Sequence, residues 1–396
     1  MCSTAWGSGA SAMLTPPSLR DLFLLRKDVI FLNHGSFGAC PRPVFAAYQR
    51  WQRELEAEPV EFLGRRFDAL MADARGALGR FLSADPSDIV FVPNATTAMN
   101  IVARSLPLAA GEEVLSTDHE YGAMDRMWRL VCAARGARYV RAELPIPLPS
   151  RDEVVERIWE RVTSRTRVLS LSHITSPTAV ELPVGELVGR ARERGILTVV
   201  DGAHAPGQIP LDLGALGADF YAGNCHKWMM APKGSGFLYA RRERQPLLQP
   251  LIVSWGGERS TGPGPSPFLD DHEWQGTRDI APFLAVPAAI RFLEEHCGDA
   301  VRGQCRELLR AFGERAAGLG LQPVGVGSES ESLQMRAFSL PPGDARALQT
   351  RLLDRWRIEV PVIPWNGRSL LRVSVQGYTT SQDLDALVQA LGQEIP

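Results

Sequence analysis

Residues 196–204, with the sequence ILTVVDGAH, decide the fold. Their apolar and β-branched beginning predicts a buried strand, and a carboxylate and a histidine follow that strand directly. A second short run at 218–221 leads in the same way into residues 222–228, which contain Lys227. Because ligands of open parallel sheets bind beyond the carboxyl ends of the strands, Asp201 and Lys227 are expected to converge at one edge of a sheet.

Short apolar runs alternate with amphipathic helical stretches on both sides of this pair, a pattern typical of a mostly parallel sheet covered by helices. After about residue 280 long helices dominate. We therefore predict an α/β protein with a large domain over residues 18–280, whose first residues can pack with the small domain, and a smaller α+β domain over residues 281–396. Residues 1–17 are expected to form a disordered tail. The strands predicted for the large domain are 88–92, 113–116, 167–172, 197–200, 219–221 and 235–240.

The composition narrows the class of protein. The 396 residues carry 43 basic and 45 acidic side chains, a net charge of −2, which argues against a protein that binds nucleic acid. No apolar run reaches the roughly 18 residues of a membrane-spanning helix, so no membrane partner is expected. The six cysteines are scattered without a C-x-x-C pair, which predicts neither disulfides nor a metal site and favours a cytoplasmic protein.

The chemistry of Asp201 and Lys227 suits one cofactor. A lysine in a desolvated pocket loses its proton more readily and forms a Schiff base with a carbonyl group, and a nearby aspartate suits a pyridinium nitrogen. Together the two residues predict a site for pyridoxal 5'-phosphate. The plainer alternative is a surface lysine after a buried strand and an aspartate that caps a turn.

A site for the phosphate of this cofactor is predicted at residues 93–97 (PNATT), where a strand gives way to a helix. Free amides and hydroxyls at a helix N-terminus favour an anion. Thr96 and Thr97 are the natural donors, and His226 is a further candidate. Ordinary N-capping is the alternative for the threonines, and packing is the alternative for the histidine.

Seven segments strengthen this interpretation: NHGSFG at 33–38, NATT at 94–97, DHEYGA at 118–123, SHIT at 172–175, DGAHAPG at 201–207, HKW at 226–228 and QGTR at 275–278. Their order and spacing resemble the class-V aminotransferases, the fold-type I pyridoxal phosphate enzymes that include cysteine desulfurases. The closest resemblance is to the isopenicillin N epimerase-like branch. It covers roughly residues 30–380 and implies a fold-type I transferase.

The resemblance implies a role for each residue around the cofactor ring. Lys227 matches the lysine that forms the Schiff base, and Asp201 matches the partner of the ring nitrogen. His204 stands where the family places a side chain that bonds the phenolic oxygen of the ring. Tyr121 occupies the position that stacks on the ring, where cysteine desulfurases carry a histidine, and aromatic faces suit that role.

The same resemblance implies roles at the two ends of the site. Gly276 and Thr277 resemble the stretch that reaches the phosphate from the second subunit, which implies a homodimer with shared active sites. Arg372 resembles the arginine that grips the α-carboxylate of the substrate, for which a guanidinium is well shaped. Asn33 and His34 are implied on the substrate side. The phosphate ligands that the resemblance implies are Thr96, Thr97 and His226.

Two departures from the desulfurase pattern bear on the reaction. Desulfurases that make a persulfide use a mobile cysteine shortly before the carboxylate-binding arginine, whereas residues 358–367 (IEVPVIPWNG) contain none. Cys225, near Lys227, is interpreted as a small packing residue. Ser176 and Pro177 stand where desulfurases place an asparagine beside the ring. Persulfide chemistry is therefore not expected.

Three reactions diverge once a lysine removes the α-proton of an amino-acid substrate: inversion by reprotonation from the opposite face, loss of a β-substituent, and transamination. The resemblance favours epimerisation of an amino acid or of an amino-acid-derived metabolite. The sequence does not fix the second proton donor, for which Tyr121 and His34 are the candidates. A C–S β-lyase or desulfurase-like enzyme without a persulfide cysteine, and an aminotransferase, are the alternatives. A regulator that binds the cofactor is disfavoured, because the tail offers no room for a DNA-binding domain.

Overall fold

A seven-stranded sheet contains the strand at Leu197–Gly202, which precedes His204. The computed structural model describes residues 19–256, 266–325 and 332–395, so the predicted tail lies outside the described residues. The strands are β1 (Ile30–Phe31), β2 (Ile89–Val92), β3 (Glu113–Thr117), β4 (Arg138–Ala142), β5 (Thr166–Ser172), β6 (Leu197–Gly202), β7 (Phe220–Asn224), β8 (Gly236–Ala240), β9 (Gln322–Pro323), β10 (Met335–Ser339), β11 (Ile358–Glu359), β12 (Val362–Trp365) and β13 (Arg368–Ser374).

The large sheet has the spatial order β2-β8-β7-β6-β5-β3-β4. Its neighbouring strands from β7 to β4 are parallel, and β8 runs antiparallel to both β7 and β2. All six strands predicted for the large domain are present, with ends that differ by at most three residues. The edge strand β4 was not predicted, because Arg138 and Arg141 and the partly exposed side chains between them give no apolar run.

Helices cover the strands in the predicted alternation. Two of the helices are preceded by a separate helical turn: a π-helical turn at Glu61–Arg65 precedes Phe67–Leu82, and a short helix at Ala281–Leu284 precedes Val286–His296. The helices are α1 (His34–Phe37), α2 (Arg42–Ala57), α3 (Phe67–Leu82), α4 (Ala95–Ser105), α5 (Gly122–Arg135), α6 (Arg151–Trp159), α7 (Val184–Glu193), α8 (Leu213–Leu216), α9 (Pro267–Glu273), α10 (Ala281–Leu284), α11 (Val286–His296), α12 (Asp299–Ala317), α13 (Ala345–Trp356) and α14 (Ser381–Glu394).

Apolar side chains fill both faces of the large sheet. Helices α4 and α5 cover one face, and α2, α3, α7 and α11 pack in the core of the other. A third apolar cluster lies in the small domain, between α12, α13, α14 and the antiparallel sheet β12-β13-β10-β9. Since both faces of the large sheet are covered, a ligand can approach its strands only at their ends.

The two helices that follow residue 280 bear on the predicted domain boundary, which stays a prediction. Helices α10 and α11 pack against α2 and α3, because the apolar face of α11, with Ile290 and Phe292, belongs to the core of the large domain. The packing changes after α11, at about Cys297. Near the start of the described chain, β1 pairs with β11 of the small domain. This pairing agrees with the expectation that the first residues of the large domain can pack with the small domain. Within the described ranges, none of the helices combines the length and the apolar character that crossing a bilayer requires.

Candidate active site

A cavity of about 310 Å³ opens at the carboxyl ends of the parallel strands. Strands β5, β6 and β7 end there at Ser172, Gly202 and Asn224, and the turns after β2 and β3 reach the same edge. The predicted site residues that line this cavity are Thr96, Tyr121, Asp201, His204, His226 and Lys227. The strand order thus brings together residues that are far apart in sequence.

Lys227 lies in the turn after β7, with Nζ 2.9 Å from Nε2 of His204. Two glycines of the quoted motifs hold this turn. Gly38 has a φ of +69°, and a Cβ atom there would lie 2.1 Å from the backbone oxygen of His226. Gly207, with a φ of +86°, would place a Cβ atom 2.6 Å from the backbone of Trp228. Both positions require glycine, because the lysine turn packs directly on their backbone.

The surroundings of Lys227 favour its neutral form. Burial and the positive charge of Arg372 lower the pKa of Lys227 to about 7, against the attraction of Asp201. A neutral amine is the form that attacks a carbonyl group. The lysine is therefore prepared for Schiff-base chemistry before any ligand binds.

This pKa predicts how fast the cofactor-free enzyme takes up pyridoxal phosphate. The uptake rate should be nearly constant at alkaline pH and fall about tenfold per unit below about pH 7, because the ammonium form cannot attack. Stopped-flow absorbance over a pH series measures the rate. A rate that keeps rising to about pH 10, as an ordinary lysine would give, contradicts the prediction.

Asp201 is the residue before the last one of β6, and it lies beside Ser172 of β5. Its Oδ1 accepts a hydrogen bond from the backbone N–H of Ala203 at 2.9 Å. Burial raises the pKa of Asp201, while this hydrogen bond and the charge of Lys227 oppose the rise. A protonated ring nitrogen in the cavity would give the carboxylate the counter-charge that burial makes necessary.

The N-terminus of α4 lies at one end of the cavity, where an anion is expected. Its first amide, that of Ala95, donates to Oδ1 of Asn224, and Asn94 caps the helix. Thr96 lines the cavity, but Thr97 does not, because both its N–H and its hydroxyl donate to Oδ1 of Asn94. These contacts of Thr97 are those of the N-capping alternative, and its role as a phosphate ligand stays a prediction.

His226 lies beside the same end of the cavity. Its Nδ1 donates to the backbone oxygen of Ser235 at 2.9 Å, so only Nε2 remains for a ligand. Burial lowers the pKa of His226 to about 4. A bound phosphate dianion would raise it again, because the dianion favours the imidazolium form.

Arg372 extends from β13 of the small domain towards the cavity, where it is 3% exposed. Its guanidinium donates to the backbone oxygen of Ser176 at 2.5 Å and to Oγ of Ser36 at 2.9 Å. Its Nε is buried without a partner among the described residues. Two serines that line the cavity therefore orient the arginine, and donor capacity remains for a carboxylate.

Asn33 and His34 do not line this cavity, and their place on the substrate side stays a prediction. His34 is fully buried, with Nδ1 2.9 Å from the hydroxyl of Tyr378 and Nε2 3.1 Å from the backbone oxygen of Lys227. Asn33 donates to Oε1 of Glu359 at 3.0 Å. Both ring nitrogens of His34 and the amide nitrogen of Asn33 therefore have partners in the protein, whereas Oδ1 of Asn33 is buried without a partner among the described residues.

Gly276 and Thr277 lie in the loop between α9 and α10, outside the lining of this cavity. The guanidinium of Arg278 donates to the backbone oxygen of Glu273 at 2.7 Å and supports the loop. Glu273 is in turn anchored to α3 by a buried ion pair with Arg75 at 2.5 Å. Thr277 is exposed at the tip of this supported loop.

Sequence reasoning missed several residues at the cavity. Glu120 is buried, accepts hydrogen bonds from the hydroxyls of Thr117 and Ser172, and has a pKa raised to about 7 by burial. Glu120 does not line the cavity itself and is connected to it through Ser172, a contact that the sequence cannot show. Lining residues that were not assigned a role include Ser36, Phe37, Ser172, Asn224 and Lys233.

The fold and this constellation define a pyridoxal phosphate-dependent enzyme of fold type I. The chain belongs to the class-V aminotransferase family, whose model matches residues 30–387. It is 41% identical to an isopenicillin N epimerase from Amycolatopsis lactamdurans over 99% of both chains. It is 40% identical to an isopenicillin N epimerase from Streptomyces clavuligerus, over 94% of this chain and 96% of that protein. A cysteine desulfurase from Escherichia coli has a TM-score of 0.78 at 25% identity, over 95% of this chain and 97% of that one.

The described residues fit pyridoxal 5'-phosphate, and the predicted family, fold and cofactor are confirmed. A carboxylate, an amine and a helix N-terminus lie on the walls of one cavity of about 310 Å³, a volume suited to a small cofactor. Asp201 would bind the ring nitrogen and His204 the phenolic oxygen. Thr96 and His226 would bind the phosphate.

Proposed function

We propose that this enzyme inverts the configuration at the α-carbon of an amino acid or of a metabolite that carries an amino-acid end. The observation that carries the proposal is the hydrogen bond between Nζ of Lys227 and Nε2 of His204, which presents an amine to the cavity. The similarity to two isopenicillin N epimerases supports inversion over the other reactions and supports a substrate of that kind.

Each residue has a defined task in this proposal. Bound pyridoxal phosphate acidifies the α-proton of an attached amino acid by delocalising the negative charge left behind. Lys227 is the base that takes this proton on one face of the substrate. Asp201 keeps the ring nitrogen protonated, and Arg372 binds the α-carboxylate with the donors that its two serines leave free.

Inversion also requires a proton donor on the opposite face. Of the two candidates, His34 is excluded by its position, since it is fully buried and both its ring nitrogens are occupied. Tyr121 lines the cavity at the start of α5 and is 47% exposed. We therefore assign the second proton transfer to the hydroxyl of Tyr121.

The variant Tyr121→Phe tests this assignment. In deuterated buffer it should still exchange the α-proton, because Lys227 is intact, while inversion falls by roughly 10²-fold, the contribution of one positioned acid. Proton NMR measures the exchange and chiral chromatography measures the inversion. Tyr239→Phe, at the opposite end of the sheet, is the matched control and should leave both rates unchanged. Equal losses of exchange and inversion in Tyr121→Phe would count against the assignment.

Persulfide chemistry is disfavoured by the segment before Arg372. This segment contains no cysteine and is attached to the large domain rather than free. Nε1 of Trp365 donates to the backbone oxygen of Asp118 at 3.1 Å, and the amide of Asn366 donates to the carboxylate of Asp118 at 2.8 Å. C–S lysis without a persulfide is therefore the alternative outcome of the same proton removal.

We further propose that the enzyme is a cytoplasmic homodimer with shared active sites. The exposed loop with Gly276 and Thr277, supported from behind by Arg278, is suited to reach the phosphate end of the partner's cavity. The described cysteines are all free, which suits a reducing compartment. Analytical ultracentrifugation should show a dimer at the concentrations used for assays, and an active monomer would overturn the shared-site proposal.

A further inference from the structure

The indole of Trp228 contacts the histidine that faces the lysine. Trp228 follows Lys227 in the turn after β7 and is fully buried. Its Nε1 lies 3.3 Å from Nδ1 of His204, and Nε2 of the same histidine lies 2.9 Å from Nζ of Lys227. Two hydrogen bonds therefore connect the indole to the amine through a single imidazole ring.

The positions of the hydrogens follow from what each group can donate. An indole N–H only donates, so Nδ1 of His204 must be the acceptor and carries no hydrogen. Burial is the largest of the causes that lower the pKa of His204 well below its ordinary value, so the ring is neutral. Its hydrogen is then on Nε2, and Nζ of Lys227 can accept it only as a neutral amine.

We propose that Trp228 is a positioning residue that holds His204 in the Nε2–H tautomer and thereby keeps Lys227 as the free base. This inference rests on the roles proposed above for Lys227 and His204. The opposite tautomer would bring two N–H groups together between the indole and the imidazole. It would also present a lone pair to Nζ, which favours the ammonium form and removes the base.

The indole cannot easily leave this position. The ring of His34 packs against it with centroids 4.9 Å apart, and Gly207 packs on the backbone of Trp228. His34 is itself held by Tyr378 and by the backbone oxygen of Lys227. The buried His34, which does not reach the substrate, therefore supports the residue that sets the tautomer.

The charged and titratable groups around Nζ come from three elements. Asp201 lies near the end of β6, and His204 follows that strand. Arg372 belongs to β13, and His226 lies in the same turn as Lys227. Since Trp228 carries no charge, replacing its N–H changes the hydrogen-bond pattern and leaves these charges in place. The effect of such a variant on the lysine can thus be attributed to the tautomer of His204.

Nitrogen-15 NMR of the histidine-labelled holoenzyme tests the tautomer in the native chain. The chain has seven histidines, and a His204→Gln spectrum identifies the signals of His204 by their loss. We expect Nδ1 without hydrogen and Nε2 with hydrogen. A hydrogen on Nδ1 of His204 overturns the proposal even if the enzyme epimerises its substrate, and the expected pattern stands even if the reaction proves to be an elimination.

The variant Trp228→Phe tests the consequence for the lysine. The variant keeps a buried ring and removes the N–H. The pH profile of cofactor uptake should therefore move to higher pH by about one unit, because the free energy of one buried hydrogen bond corresponds to a pKa change of about that size. The control Trp51→Phe also removes an indole hydrogen bond, to the backbone oxygen of Leu284, but far from the cavity, and should leave the profile unchanged. An unshifted profile in folded Trp228→Phe overturns the proposal. If that variant does not fold, the NMR pattern of the native holoenzyme decides.

Discussion

The variant Lys227→Ala is expected to lose the visible absorbance of the bound cofactor and to lose turnover by roughly 10³- to 10⁴-fold, because it removes both the Schiff-base amine and the base. The rest of the fold should tolerate the change, since the lysine turn is held by Gly38, Gly207 and the buried Trp228. Absorbance spectra and turnover of the purified variant measure the two losses.

The chain offers a simple control for this variant. It has only three lysines, and Lys27 is exposed in the large domain, away from the cavity. Lys27→Ala should keep the spectrum and turnover of the native enzyme. Borohydride reduction of the native holoenzyme followed by peptide mapping should attach the cofactor to Lys227, and attachment at Lys27 or Lys233 would refute the assigned role.

The variant Asp201→Asn is expected to keep the cofactor and to lose turnover by roughly 10²- to 10³-fold. The side chain keeps its size, but the buried carboxylate that pairs with the ring nitrogen is lost, and breaking a buried charge pair is costly. Retained visible absorbance with low turnover would distinguish this loss from that of Lys227→Ala. Near-native turnover would contradict the role of Asp201.

Asp219→Asn is the matched control for this second variant. Asp219 is as deeply buried as Asp201, at 6% against 4% exposed, but lies at the opposite end of the same sheet. It accepts hydrogen bonds from the amide and hydroxyl of Thr198 and pairs with Arg244. Its replacement should lower the thermal midpoint while turnover per folded enzyme stays within about twofold, because Asp219 supports the strands and does not reach the cavity.

The convergence of Asp201 and Lys227 was predictable because both follow strands that are buried on both faces. Such strands read as continuous apolar runs, and their carboxyl ends share one edge. The edge strand β4 lacks that signal, since Arg138 and Arg141 interrupt its apolar residues. The sequence alone could not show which of Thr96 and Thr97 faces the cavity. Either threonine can donate to a ligand or take part in the helix cap, and only the orientation of Asn94 decides between these roles.

The rest of the site depends on side-chain direction. In the motif at 33–38 the sequence suggested Asn33 and His34, whereas Ser36 and Phe37 of the same short helix reach the cavity. Arg372 was suggested only by resemblance, and its two serine partners lie 196 and 336 residues away in the chain. Contacts of such separation leave no periodic signal, so the tertiary structure alone reveals them.

The most direct test of the account follows a single enantiomer of an amino-acid substrate, beginning with isopenicillin N, in deuterated buffer with the native holoenzyme. Chiral chromatography, NMR, and assays for keto acid and sulfide follow all outcomes together. If the enzyme inverts the α-carbon, we expect the opposite epimer with deuterium at its α-carbon, formed without stoichiometric keto acid or sulfide. Release of keto acid or sulfide with no inverted product would contradict it.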